Sequence, residues 1–328
     1  MLPNTNIENS SDDITFDEKA FLRKARFKSI IRITLISLCV AIGIFVLSFV
    51  IPEIMLGNQE NRINSFYPNL VKFTEPNTFA LSGESYNVRL LGRQKKYYLF
   101  RLIGDKPHPA GTITVDFDAW GGEQTNGNNY FSVSNSKEYL IPYAVPKLRF
   151  YNPAASYEKI IREFDTLKNI PKNQLVEMAI SFNKPLTLDE IKVMMPQDLK
   201  LMWGAVRVFK DEDYENAVKN AEEKAKKNGR ILTQEDKENI KRNLAERLVG
   251  NPYLDSTNGE KEFIQELEVL VNIPSYHSNN IKRTVSFLKE NGIKYYGVVV
   301  VGSPESLEKL SSNPMITGAV LGIVTTPY

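Results

Sequence analysis

The residues whose types could do chemistry are few: two histidines, one cysteine and the aspartates of "DFD". His108 and His277 sit in loop-like contexts without a carboxylate or cysteine pattern around them, so a surface or packing role suits them best. "DFD" puts Asp116 and Asp118 on one face of a strand, because strand side chains alternate with period two. That pair could hold a cation, but a solvent-facing strand explains it better. "DSTNGE" (255–260) offers Asp255, Asn258 and Gly259 as a calcium loop, yet it lacks the acidic spacing and the closing bidentate glutamate. Cys39 leaves no pair for a disulfide or a cysteine-based metal site. There is no P-loop, GxGxxG, HExxH or G-x-S-x-G. No catalytic residue, cofactor or metal ligand is therefore expected, and the chain reads as a non-enzyme.

The elements that would position these residues start with an anchor. Ile33–Ile51 carries no charged residue. At about 1.5 Å rise per residue it nearly spans a hydrocarbon core of about 30 Å. It is longer than a signal-peptide apolar region and is followed by no small-residue cleavage site, so it reads as a permanent single-pass span. Lys19, Arg23, Lys24, Arg26, Lys28 and Arg32 precede it, and the next cation is Arg62. Basic residues stay on the cytoplasmic side, which puts the N-terminus inside and the rest of the chain outside. A net charge of +2 argues against direct, electrostatically driven nucleic-acid binding.

Along the chain, residues 1–14 are polar and read as a disordered cytoplasmic tail. "TFDE" (15–18) is a capping box that opens a juxtamembrane helix over 15–32. The transmembrane helix follows over 33–51 and is expected to stop at Pro52. Residues 52–77 read as a stalk, polar over 58–70, and 78–151 as an extracytoplasmic β-rich domain. In the latter, "GDKPHPAG" (104–111) is expected to be a hairpin loop, and "NPAAS" (152–156) marks a domain boundary. Residues 157–328 read as an extracytoplasmic α/β domain. "LVEMAISF", a helix capped by Thr187 and "LKLMWGAVRVF" form one β-α-β unit, and "YGVVVVGSPESLEKL…GAVLGIVT" a second. A charged helical insertion over 211–248 lies between them, with Gly229 as C-cap and Thr233 as the next N-cap. The expected class is α+β: a single-pass transmembrane helix, a β-rich region, then a ferredoxin-like domain.

The helix before the span is the most informative candidate site. At 100° per residue, Phe16, Ala20 and Phe27 fall within about 40° of one another. Lys19, Arg23 and Arg26 flank that stripe on one side, Lys24 and Lys28 on the other. One reading is topogenic, with these cations on anionic headgroups of the bilayer. The other is a partner-binding helix, its stripe laid into a groove of a cytoplasmic protein.

"FDEKAFLRKARFKSIIRITLISLCV" (16–40) and "YYLFRLIGDKPHPAGTITVDF" (97–117) resemble the N-terminal module of the sigma-factor regulators of Gram-positive bacteria. "EMAISFNKPLTLDEIKVMMP" (177–196), with "WGAV" (203–206), resembles the family's C-terminal module. The resemblance implies a membrane-anchored anti-sigma factor. Such a protein holds an extracytoplasmic-function sigma factor at the inner membrane face and releases it when the outer domain senses envelope stress. The zinc-linked H-x3-C-x2-C domain of many anti-sigma factors is absent here. The contact would then be one helix, which a second small membrane protein could share. The rival reading is an anchored outer module that binds envelope polymers or another membrane protein and has no signalling role.

Overall fold

The computed structural model describes residues 18–127, 130–134, 137–140 and 145–326. The tail 1–14 and the start of the capping box lie outside these residues. The chain forms two compact units, one up to Met55 and one from Leu56 onward.

The first unit holds helix α1 (Glu18–Phe45), a π-helical turn (Val46–Val50) and the opening of α2 (Ile51–Thr74). The helix does not stop at Pro52. The Ile51 N–H bonds to the Val46 oxygen, five residues back, and this wider turn makes room for a proline that lacks a donor and crowds the preceding turn. Among the described residues one helix, Phe21–Thr74, contains a stretch long and apolar enough to cross a membrane, and none of that stretch is buried.

The second unit corrects the expected stalk. Residues 56–74 are helical, and Leu56, Ile63, Phe66, Tyr67, Val71 and Phe73 are buried. Their spacing of three, four and seven residues makes one face of a helix, with the polar residues on its flanks. Strands β1 (Thr78–Arg89), β2 (Gly92–Ile103), β3 (Lys106–Asp118) and β4 (Glu123–Asn126) follow as an antiparallel meander. The expected loop 104–111 shrinks to Gly104 and Asp105, with Gly104 at φ 63°. Pro107, His108 and Pro109 belong to β3 and pair with β2. Among the described residues β4 pairs only with Thr114–Phe117, so both prolines lie at the end of β3 that β4 does not reach. Strands β5 (Tyr130–Ser134), β6 (Lys137–Leu140) and β7 (Val145–Pro146) form a small sheet, and α3 (Phe164–Leu167) follows.

Both β-α-β units are present. The first is β8 (Leu175–Leu186), α4 (Leu188–Met194) and β9 (Lys200–Val206). The insertion follows as α5 (Asp211–Lys227) and α6 (Gln234–Ala245). Then come β10 (Gly250–Asn251) and two helices that periodicity did not single out, α7 (Gly259–Val271) and α8 (Ser278–Asn291). The second unit is β11 (Tyr295–Gly302), α9 (Pro304–Glu308) and β12 (Ile316–Thr325). The sheet order is β10-β9-β11-β8-β12, with antiparallel neighbours throughout. Each unit thus splits to admit one strand of the other. Thr187 caps α4 through a capping box with Glu190, and Thr233 caps α6 through Asp236. Leu148, Phe150 and Tyr151 pack on Ala179, Trp203, Tyr296, Val299 and Val320, so the chain around the expected boundary is core rather than linker.

Candidate functional site

The sequence-derived site lies on α1. Lys19, Arg23 and Arg26 are exposed there, and Phe27 is 64 % exposed. Ala20 belongs to the same helix, while Phe16 falls outside the described residues. Helical spacing puts Arg23 and Phe27 on one side, at i and i+4. Among the described residues, Lys19, Arg23, Arg26 and Phe27 make no hydrogen bond, ion pair or ring contact. Phe21 and Leu22, which the stripe did not include, are exposed as well.

The second unit holds α2 from several directions. The Glu60 carboxylate accepts from Ser85 Oγ at 2.7 Å, and from Arg93 and Lys95 at 3.1 Å each. Burial alone would raise its pKa, but these donors together hold it below the ordinary carboxylate value. Tyr97 donates to Asn64 at 3.0 Å. Arg62 bonds Glu123 at 2.7 Å and the Pro274 carbonyl at 2.7 Å. Lys72 pairs with Glu266, and Trp203 Nε1 donates to the Lys72 carbonyl at 3.0 Å.

Sequence reasoning missed a buried ionic junction between β2 and β8. Arg101 and Glu177 are 3.3 Å apart, with side chains 3 % and 0 % exposed. Glu177 also accepts from Asn77 Nδ2 at 2.8 Å and from the Ile323 N–H at 3.2 Å. Arg101 donates to the Pro146 carbonyl at 3.0 Å. Burial raises the Glu75 carboxyl, against the pull of Arg101 and Lys147. His108 pairs in register with Arg101, and burial lowers its pKa against the pull of Glu177. Each charge is visible in the sequence, alone in the apolar segments "YYLFRLI" and "LVEMAISF", but neither segment says that the two charges meet.

Asp116 and Asp118 do share one cavity, of about 450 Å³, with Arg89, Arg93 and Trp120. Asp118 is spent on its own turn, accepting the Trp120 and Gly122 N–H groups at 2.9 Å each. Asn258 and Gly259 open α7, and a side chain at Gly259 would strike the Tyr253 carbonyl, so that glycine serves a tight turn. Among the described residues, no group of three or more His, Cys, Asp and Glu side chains could hold a metal. His277 stacks on Phe66 with centroids 6.1 Å apart and borders an apolar cavity of about 420 Å³, walled by Leu70, Phe73, Phe209, Leu267 and Ile281.

Comparison with known proteins finds two family matches, one in each half of the chain. The family described as "Sigma factor regulator N-terminal" matches residues 19–108, and that described as "Sigma factor regulator C-terminal" matches residues 167–323. "Probable anti-sigma-M factor YhdL" of Bacillus subtilis (strain 168) is 20 % identical over 317 residues, spanning 94 % of this chain and 82 % of that protein. No solved structure matches the chain.

Proposed function

The chain belongs to the sigma factor regulator family, with its N- and C-terminal modules, and on that premise we propose that it is a membrane-anchored anti-sigma factor. Residues 33–51 are the anchor, the N-terminus is cytoplasmic and the unit from Leu56 onward is outside. The partner is a sigma factor of the extracytoplasmic-function type, held at the inner membrane face by the helix that begins the chain's described part. Phe16, Ala20 and Phe27 supply the apolar contact, and Lys19, Arg23 and Arg26 pair with acidic residues of the partner. The action is stoichiometric: the bound helix occludes the sigma factor, and envelope stress sensed by the outer unit releases it, through a change of affinity or through proteolysis. The split β-α-β arrangement supports a ferredoxin-like reading of the C-terminal module.

The observation that carries this proposal is α1 itself. Its cations Lys19, Arg23 and Arg26 and its apolar stretch are exposed among the described residues. The test is a sigma-dependent reporter in cells carrying Phe16→Asp with Phe27→Asp. Raised basal transcription at unchanged protein level is expected, and an unchanged basal level sinks the helix-as-inhibitor reading.

A second reading, an anchored binding module without signalling, draws on the apolar cavity bordered by His277. It requires that the outer unit work equally well behind an unrelated cytoplasmic helix. Loss of sigma control in that swap decides for the regulator.

A further inference from the structure

We propose that two adjoining turns at one end of the four-stranded sheet, Leu90–Leu91 and Trp120–Gly121, form a second, peripheral contact with the lipid surface. This rests on the reading of residues 33–51 as a membrane anchor. The Ala119 N–H donates to the Leu91 carbonyl at 3.0 Å, which sets the two turns side by side. Leu90 is 54 % exposed, Leu91 37 % and Trp120 69 %, and Val88 beside them is open too. Large apolar side chains gathered at one tip mark a contact surface, and a tryptophan left in water is the costliest of them.

Geometry within the second unit says which way the tip points. On α2, Asn64 meets Tyr97, and Glu60 meets Lys95 and Arg93. Helix and strand numbers fall together, so the turn before Gly92 lies toward the low-numbered end of this helix segment. A side chain at Gly121 would come within 3.4 Å of Gln59. Gln59 is only eight residues beyond Ile51, so the chain itself limits how far the tip can lie from the end of the apolar stretch. The polar zone on each side of the hydrocarbon adds about 5–8 Å. The tip is therefore tethered within reach of the headgroups.

The side chains suit that zone. Tryptophan favours the headgroup level, and leucines beside it can enter the boundary with the acyl chains as an apolar face. Arg89 is 69 % exposed and only loosely paired with Asp116, at 3.9 Å, so its stem can lie along the apolar layer while its guanidinium turns to a phosphate. Arg93 is already held by Glu60 and leaves the apolar turns to enter alone.

The experiment uses the full chain in phosphatidylcholine–phosphatidylglycerol vesicles containing lipid brominated at shallow acyl positions. Trp120 and Trp203 are the two tryptophans, and Trp203 is buried, so quenching reads Trp120. The expected result is quenching that disappears in Trp120→Phe. It should fall to that same level in Leu90→Glu with Leu91→Glu, with circular dichroism unchanged. Flotation after carbonate washing reads the anchor separately. A chain that floats with unquenched Trp120 overturns the tip contact and leaves the anchor standing. A chain that does not float removes the anchor and this inference with it. Trp120 shielded from acrylamide yet unquenched by bromolipid assigns the tip to a protein partner and overturns the lipid contact.

Discussion

α1 and the part of α2 from Leu56 onward are both helical and both rich in apolar residues, yet they dispose of them oppositely. In α1, Phe27, Ile30, Leu35 and Ile36 are open. In α2, Leu56, Ile63, Phe66 and Val71 are shut away, and Glu60, Arg62 and Asn64 between them each find a partner. Helix formation is common to both; what differs is the partner. An unbroken apolar run has no polar flank to face water and needs a nonaqueous solvent, whereas a stripe with polar flanks can fold into a core.

Parallel truncations sharpen this contrast most. Phe66→Ala is expected to cost about 3–5 kcal/mol in urea unfolding of the second unit. Phe27→Ala should leave that transition unmoved and raise sigma-dependent transcription instead. A shifted urea midpoint in Phe27→Ala breaks the comparison.

Arg101→Met strands a buried carboxylate and is expected to cost about 3–5 kcal/mol, much of it recovered when Glu177→Leu is added. Urea curves for both singles and the double form the cycle that measures this, and additive losses would mean the pair is not coupled. Thr187→Ala removes the cap of α4 and should cost about 1 kcal/mol by the same assay.

The smallest effect concerns acid. Glu60 is held below its ordinary 4.5, so its contribution is present above that value and is lost as pH falls through the lowered one. Glu75 has the opposite sign: its raised carboxyl favours the fold at low pH, and that contribution fades as pH rises. Glu60→Gln should therefore flatten the acid limb of stability against pH, and Glu75→Gln should not. Equal acid limbs in the two variants would contradict this assignment.

Much of the C-terminal module was legible because its signals are local. Thr187, Glu190, Thr233, the proline before α4 and Pro304 at the first position of α9 fix helix starts within one turn. The stalk was misread because Asn58, Gln59, Glu60 and Asn61 drew attention to polarity, while the stripe through Ile63, Phe66 and Val71 has a period that only becomes a face once a sheet lies against it. α7 and α8 have amphipathic periodicity but no strong stop or start besides Gly292. For the candidate site, residue types and helix were readable from the chain. The junction of Arg101 with Glu177 was not, since nothing local pairs residues so distant in sequence.

That junction bears on inheritance. Arg101 lies in the N-terminal module and Glu177 in the C-terminal one. A chimera that takes one module from a relative with an apolar residue at the matching position would bury a lone charge at the seam. The two modules are consequently not free to be shuffled one at a time, and a working hybrid has to carry both members of the pair or neither.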